Sequence, residues 1–70
     1  MPLDGTWVRE RLADISRTQT DLGKVLEMDK AQTSRMLDGK RRVQVDDIEP
    51  MATFLGVTVL EMCRRCGLRL

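Results

Sequence analysis

An all-α fold, a compact set of five short helices, is what this sequence predicts, and three observations predict it. Apolar residues recur at helical spacing along the chain: Val8, Leu12 and Ile15 at i, i+4, i+7, then Leu22, Val25 and Leu26 at i, i+3, i+4. Thr33, Met36 and Leu37 repeat the second pattern, and Ile48, Met51, Ala52 and Leu55 give i, i+3, i+4, i+7. No stretch alternates with period two, apart from the short Val43-Gln44-Val45. Polar capping residues and single glycines divide the periodic segments from one another.

The elements follow in order. The first helix, about 6–17, rests on Val8, Leu12 and Ile15. The second, about 19–27, opens on Thr18-x-x-Asp21, a capping box in which a hydroxyl takes an orphan amide and the acid reaches back. Asp29 can cap the third, about 30–38, with Gln32 three residues on, and Gly39 ends it. The fourth, about 46–55, contains Pro50, and a proline deep in a helix costs about 3 kcal/mol. An N-cap at Asp46 or Asp47 places Pro50 at N4 or N3, near the turn whose amides are unpaired anyway. The fifth, about 59–66, starts at a second box, Thr58-x-x-Glu61, with Val57 and Met62 spaced as a hydrophobic staple. Gly56 and Gly67 close the last two helices.

Composition narrows the function. Seventy residues support one domain, 1–70, and 41% hydrophobic content with a net charge of +1 argues for a folded chain rather than a disordered one. No apolar run approaches the roughly 18 residues of a membrane span, and the start lacks the basic, greasy pattern of a signal peptide. The chain has no His, which removes the commonest general base and the commonest metal ligand together. The expectation is a soluble cytoplasmic domain that is not an enzyme, with no cofactor, no metal, no membrane partner and no small-molecule ligand indicated. Cys63-Arg64-Arg65-Cys66 has metal-motif spacing, but it offers two ligands where zinc takes four. Two buried or half-buried thiols in a reducing compartment is the reading it supports.

Charge is unevenly placed. Residues 30–42 carry five bases, Lys30, Arg35, Lys40, Arg41 and Arg42, against Asp38 alone, a local charge of +4, while the remainder carries −3. Such a segment directs one face toward a polyanion. Only Met28-Asp29 separates the second and third helices, and the third runs into the turn Asp38-Gly39-Lys40-Arg41-Arg42, which is the layout of a helix-turn-helix over about 19–38.

Three blocks then carry a resemblance: Thr18-Gln19-Thr20-Asp21-Leu22-Gly23, the run Thr33-Ser34-Arg35-Met36-Leu37-Asp38-Gly39-Lys40-Arg41-Arg42, and Met51-Ala52-Thr53-Phe54-Leu55-Gly56-Val57. In this order they resemble the Cro and phage-repressor (XRE-type) DNA-binding family, and Ser34-Arg35-Met36-Leu37 with Arg41-Arg42 looks most like repressors of temperate phages and prophages. The resemblance implies a lambda-repressor-like five-helix domain, bacterial or phage-encoded, whose partner is double-stranded DNA. Leu22, Val25, Leu26, Thr33 and Met36 are expected to close the angle between the two helices, with Gly23 small where the family usually has Ala. Glu27 stands at a turn position where the family usually has Gly, which predicts a turn tightened or strained by about 1 kcal/mol. Asp38 replaces a frequent Asn, and a carboxylate there repels a phosphate. Leu37 replaces a frequent Glu and loses a polar contact.

Roles follow from position on the third helix. Lys30, Ala31, Gln32 and Arg35 are the expected base readers: Lys and Arg suit guanine, Gln suits adenine, and Ala can touch a thymine methyl. Gln32 can alternatively complete the cap with Asp29. Gln19, Thr18, Ser34, Lys40, Arg41 and Arg42 are the expected phosphate contacts, with Arg41 also able to reach a base edge. On the fifth helix, Leu60 and Cys63 are expected to face the core, leaving Val59, Met62 and Cys66, with Leu68 beyond, as a homodimer contact; related repressors commonly dimerise through this end. An inverted-repeat operator follows from two-fold symmetry. A repressor, an antitoxin-type regulator and the DNA-binding arm of a longer self-cleaving repressor all fit these residues.

Overall fold

The computed structural model describes residues 3–67. Five helices follow one another: α1 (Gly5–Asp14), α2 (Gln19–Val25), α3 (Lys30–Leu37), α4 (Val45–Leu55) and α5 (Val59–Arg65), with no strand among the described residues. No helix among them is long and apolar enough to cross a membrane. α2 packs on both α3 and α4, α5 lies along α4, and α1 lies across α3. Between them sit Val8 and Leu12 of α1, Leu22 of α2, Met36 and Leu37 of α3, Ile48, Met51, Ala52 and Leu55 of α4, and Met62 and Cys63 of α5. Leu37, where the resembled family often has Glu, is buried in this core.

Four of the five helices close the same way, and this explains where the expected boundaries were too long. A left-handed residue follows the last turn, and the next N–H bonds a carbonyl five residues back: Arg17 to Leu12, Met28 to Gly23, Lys40 to Arg35 and Val57 to Ala52. The left-handed residues are Ser16 and Glu27 (both φ 56), Gly39 (φ 76) and Gly56 (φ 70), and Gly67 (φ 70) after α5 is left-handed too, with the next residue outside the described ones. Glycine enters this region without a Cβ penalty, so Gly39 and Gly56 were legible stops. Ser16 and Glu27 take the same conformation without being glycine, so they do not read as stops in the periodic pattern, and α1 ends at Asp14 rather than 17 and α2 at Val25 rather than 27. The strain foreseen at Glu27 is present as this positive φ.

The helix starts show a similar mixture. The Thr18 box is complete: the Asp21 N–H donates to Thr18 Oγ1, and the Thr18 N–H donates to the Asp21 carboxylate, both at 3.1 Å. At Thr58 only half a box forms, because the Glu61 N–H donates to Thr58 Oγ1 while the Glu61 carboxylate turns to Arg65 at 3.0 Å. Asp29 accepts from the Gln32 N–H at 2.7 Å. Helix α4 starts at Val45, one or two residues before the expected caps, with Gln44 as N-cap and Asp47 accepting from the Gln44 N–H. Pro50 therefore lies in the sixth helical position. The helix continues through it, although proline has no N–H to donate to the carbonyl of Asp46 four residues back, a residue that is exposed.

Two apolar expectations are corrected. Val25 is 40% exposed rather than closing the α2–α3 angle, whereas Leu26 does pack against the core. On α5 three of the five assignments reverse: Met62 (0%) and Cys66 (5%) are buried rather than on the surface, and Leu60 is 49% exposed rather than in the core, whereas Cys63 is buried and Val59 exposed as expected. Met62 and Cys66 therefore belong to the core and cannot form a surface stripe; Leu68 lies outside the described residues. The turn of the chain around Gly56 sets α5 against α4, and that placement selects the side facing in.

Candidate nucleic-acid interface

The site is built on how α2 and α3 meet. A Cβ at Gly23 would stand 2.6 Å from Thr33 Oγ1 and 2.9 Å from the Met28 carbonyl oxygen, closer than real Cβ atoms come. Thr33 is itself buried, with its hydroxyl donating to the Asp29 carbonyl at 2.9 Å. That hydroxyl fills the space an Ala at position 23 would need, which accounts for glycine here. Thr33, Met36 and Leu37 anchor one side of α3, and the opposite side faces solvent with Lys30, Ala31 and Arg35 exposed and Gln32 and Ser34 half-buried. The Asp29 carboxylate accepts from the backbone N–H of Gln32, and the Gln32 side chain makes no hydrogen bond among the described residues.

The starts of α2 and α3 enclose a shallow cleft of about 260 Å³ lined by Thr18, Gln19, Thr20, Lys30, Thr33 and Ser34. The structure thus brings together four of the predicted residues, Thr18, Gln19, Lys30 and Ser34, from two helices. Hydrogen bonds from the Thr18 backbone and hydroxyl, with Arg17 and Lys24 nearby, hold the Asp21 carboxyl below its ordinary 3.8, so this acid is charged and committed to the cap. Lys40, Arg41 and Arg42 line a second cleft of about 580 Å³ with Gly39, Val43, Gln44 and Cys66. Lys40 and Arg42 are exposed; Arg41 is half-buried, and its Nε has no hydrogen-bond partner among the described residues. Cys66 at this cleft has its thiol pushed up to about 11 by burial and by neighbouring Cys63 and Asp47.

Sequence reasoning missed three long side chains that hold this frame. Arg9 of α1 donates to the Asp38 carboxylate at the end of α3 at 2.8 Å. Arg11 donates to the Leu55 carbonyl at 2.7 Å, satisfying a last-turn carbonyl of α4. Arg65 lies 4.9 Å over the Trp7 ring and bonds Glu61, fixing the start of α1 to the end of α5. None of these partners is near in sequence except Glu61, so no local pattern announces them.

A helix placed with its polar side outward, followed at once by a basic turn, suits the major groove and the phosphates flanking it. Comparison with known proteins found no match among curated proteins or solved structures. A family model described as a helix-turn-helix domain matches residues 7–64, a span that reaches from α1 into α5. The chain belongs to the helix-turn-helix domain family of DNA-binding regulators.

Proposed function

We propose that the protein is a sequence-specific transcriptional repressor of the phage-repressor (XRE) type, which lays α3 in the major groove of an inverted-repeat operator and binds as a homodimer. It acts by binding DNA, not by catalysis, in the compartment where DNA is found. One observation carries the reading. The polar side of α3 stands free and runs without a break into Lys40-Arg41-Arg42, while Gln19 and Thr18 of α2 border the same surface. Lys30, Ala31, Gln32 and Arg35 are assigned to bases, and Gln19, Thr18, Ser34, Lys40, Arg41 and Arg42 to phosphates. With Met62 and Cys66 in the core, the self-contact is assigned to the exposed pair Val59 and Leu60.

The test compares two variants on selected and random duplexes. Arg35→Ala costs about 1–3 kcal/mol on the selected site and relaxes preference at one position per half-site. Lys40→Ala weakens both duplexes alike and makes the salt dependence shallower. Equal losses on both duplexes from both variants would remove α3 as the reader, and a flat salt titration of the wild type would remove the DNA reading itself.

A further inference from the structure

Asp38 is the one acid between residues 30 and 42, and it occupies a costly position. It is the C-cap of α3, where the helix dipole is already negative, and it immediately precedes Gly39-Lys40-Arg41-Arg42. A bare carboxylate there opposes both the helix end and any phosphate held by the turn. The structure answers with Arg9, whose guanidinium reaches from α1 to the Asp38 carboxylate at 2.8 Å. The approach is enforced by packing. A Cβ at Gly5 would collide with the Leu37 carbonyl oxygen, so only a glycine lets the first turn of α1 close on the end of α3. Both side chains of the pair remain partly exposed, 42% and 44%, so the pair borders solvent beside the basic turn.

We propose that Arg9 is a positioning residue of the DNA interface, which neutralises Asp38 so that the turn after α3 can accept a phosphodiester. Its contribution to folding is small, because exposed ion pairs contribute little to stability. Its effect falls on binding, where an uncompensated negative charge within about a Debye length of the phosphates is repelled. This rests on the DNA-binding reading above.

The experiment is a double-mutant cycle of Arg9→Ala and Asp38→Asn, with Arg9→Lys as the conservative variant. Dissociation constants are measured by fluorescence anisotropy on a labelled random duplex over a salt series. Arg9→Ala weakens binding about five- to tenfold at low salt, with less effect at high salt. Arg9→Lys retains most of the affinity. Asp38→Asn binds as well as the wild type or better, and it restores affinity in the Arg9→Ala background. If the pair is only a structural clamp, either single substitution breaks it equally, so a loss in Asp38→Asn matching that in Arg9→Ala, without recovery in the double variant, overturns the proposal. Circular dichroism on all four proteins separates binding losses from unfolding. Failure of the wild type to bind any duplex at low salt is a different outcome, which overturns the DNA-binding reading and with it this role for Arg9.

Discussion

In α3 the buried side chains Thr33, Met36 and Leu37 lie opposite Lys30, Ala31 and Arg35, so the inward and outward sides differ in polarity. In α5 the buried side chains are Met62 and Cys63, followed by Cys66 at the C-cap, yet the exposed Val59 and Leu60 are as apolar as those in the core. The contrast teaches what hydrophobic patterning can report. Where a helix needs one side for packing and the other for a charged ligand, the two sides separate in composition and periodicity alone identifies the free one. Where both sides are apolar, periodicity reports two stripes and cannot rank them. The orientation of α5 is settled by the neighbour it packs on, α4.

The largest expected effect tests the buried side of α5. Met62→Glu places a carboxylate where no solvent reaches, an unpaired charge costing at least about 4 kcal/mol, enough to unfold a domain of this size. Thermal unfolding by circular dichroism should show no cooperative transition, and a folded monomer would return Met62 to the surface. Leu60→Glu, on the other side, should stay folded within about 0.5 kcal/mol and shift sedimentation toward monomer. Gly23→Ala comes next and sharpens the α2–α3 side of the comparison. The new methyl meets Thr33 Oγ1 and should destabilise by about 1–3 kcal/mol in urea, with part of the loss recovered when Thr33 is also changed to Ala.

A smaller effect is pH-dependent. Cys66 has its thiol raised from 9.0 to about 11 by burial first, and then by Cys63 and Asp47. Below pH 9 the thiol is neutral in the folded and unfolded chains alike, and its contribution to stability is fully present. Between 9 and 11 the unfolded chain ionises while the folded one resists, so stability falls as pH rises. Urea midpoints should drop over that interval, and Cys66→Ala should flatten the drop; an unchanged slope would place the thiol in solvent. The smallest effect is at Glu27, where glycine relieves a left-handed residue at about 1 kcal/mol but returns most of it as chain entropy. A gain of a few tenths of a kcal/mol is expected from Glu27→Gly.

Much of the candidate interface was legible because its signals are local. The Thr18–Asp21 box and the Asp29 cap each lie within four residues, the basic run from Lys30 to Arg42 is one continuous segment, and the structure places Thr18, Gln19, Lys30 and Ser34 around one cleft. The start of α4 was less legible. Two acids looked like caps, but Gln44 takes that place, with Asp47 serving from inside the helix.

By itself the sequence determined the all-helical class, the number and order of the helices, the glycine stops at Gly39 and Gly56, and the polar side of α3. These depend on spacing, on capping chemistry and on the missing Cβ of glycine, all of which act within one or two turns. Only the tertiary structure decided that Ser16 ends a helix in a glycine-like conformation, that Met62 and Cys66 face inward, and that Arg9 meets Asp38 across 29 positions of chain. Those outcomes depend on which surfaces close against each other. A non-glycine residue is held left-handed or a methionine buried only when the surrounding helices close, and contacts between distant residues leave no periodic trace in one sequence.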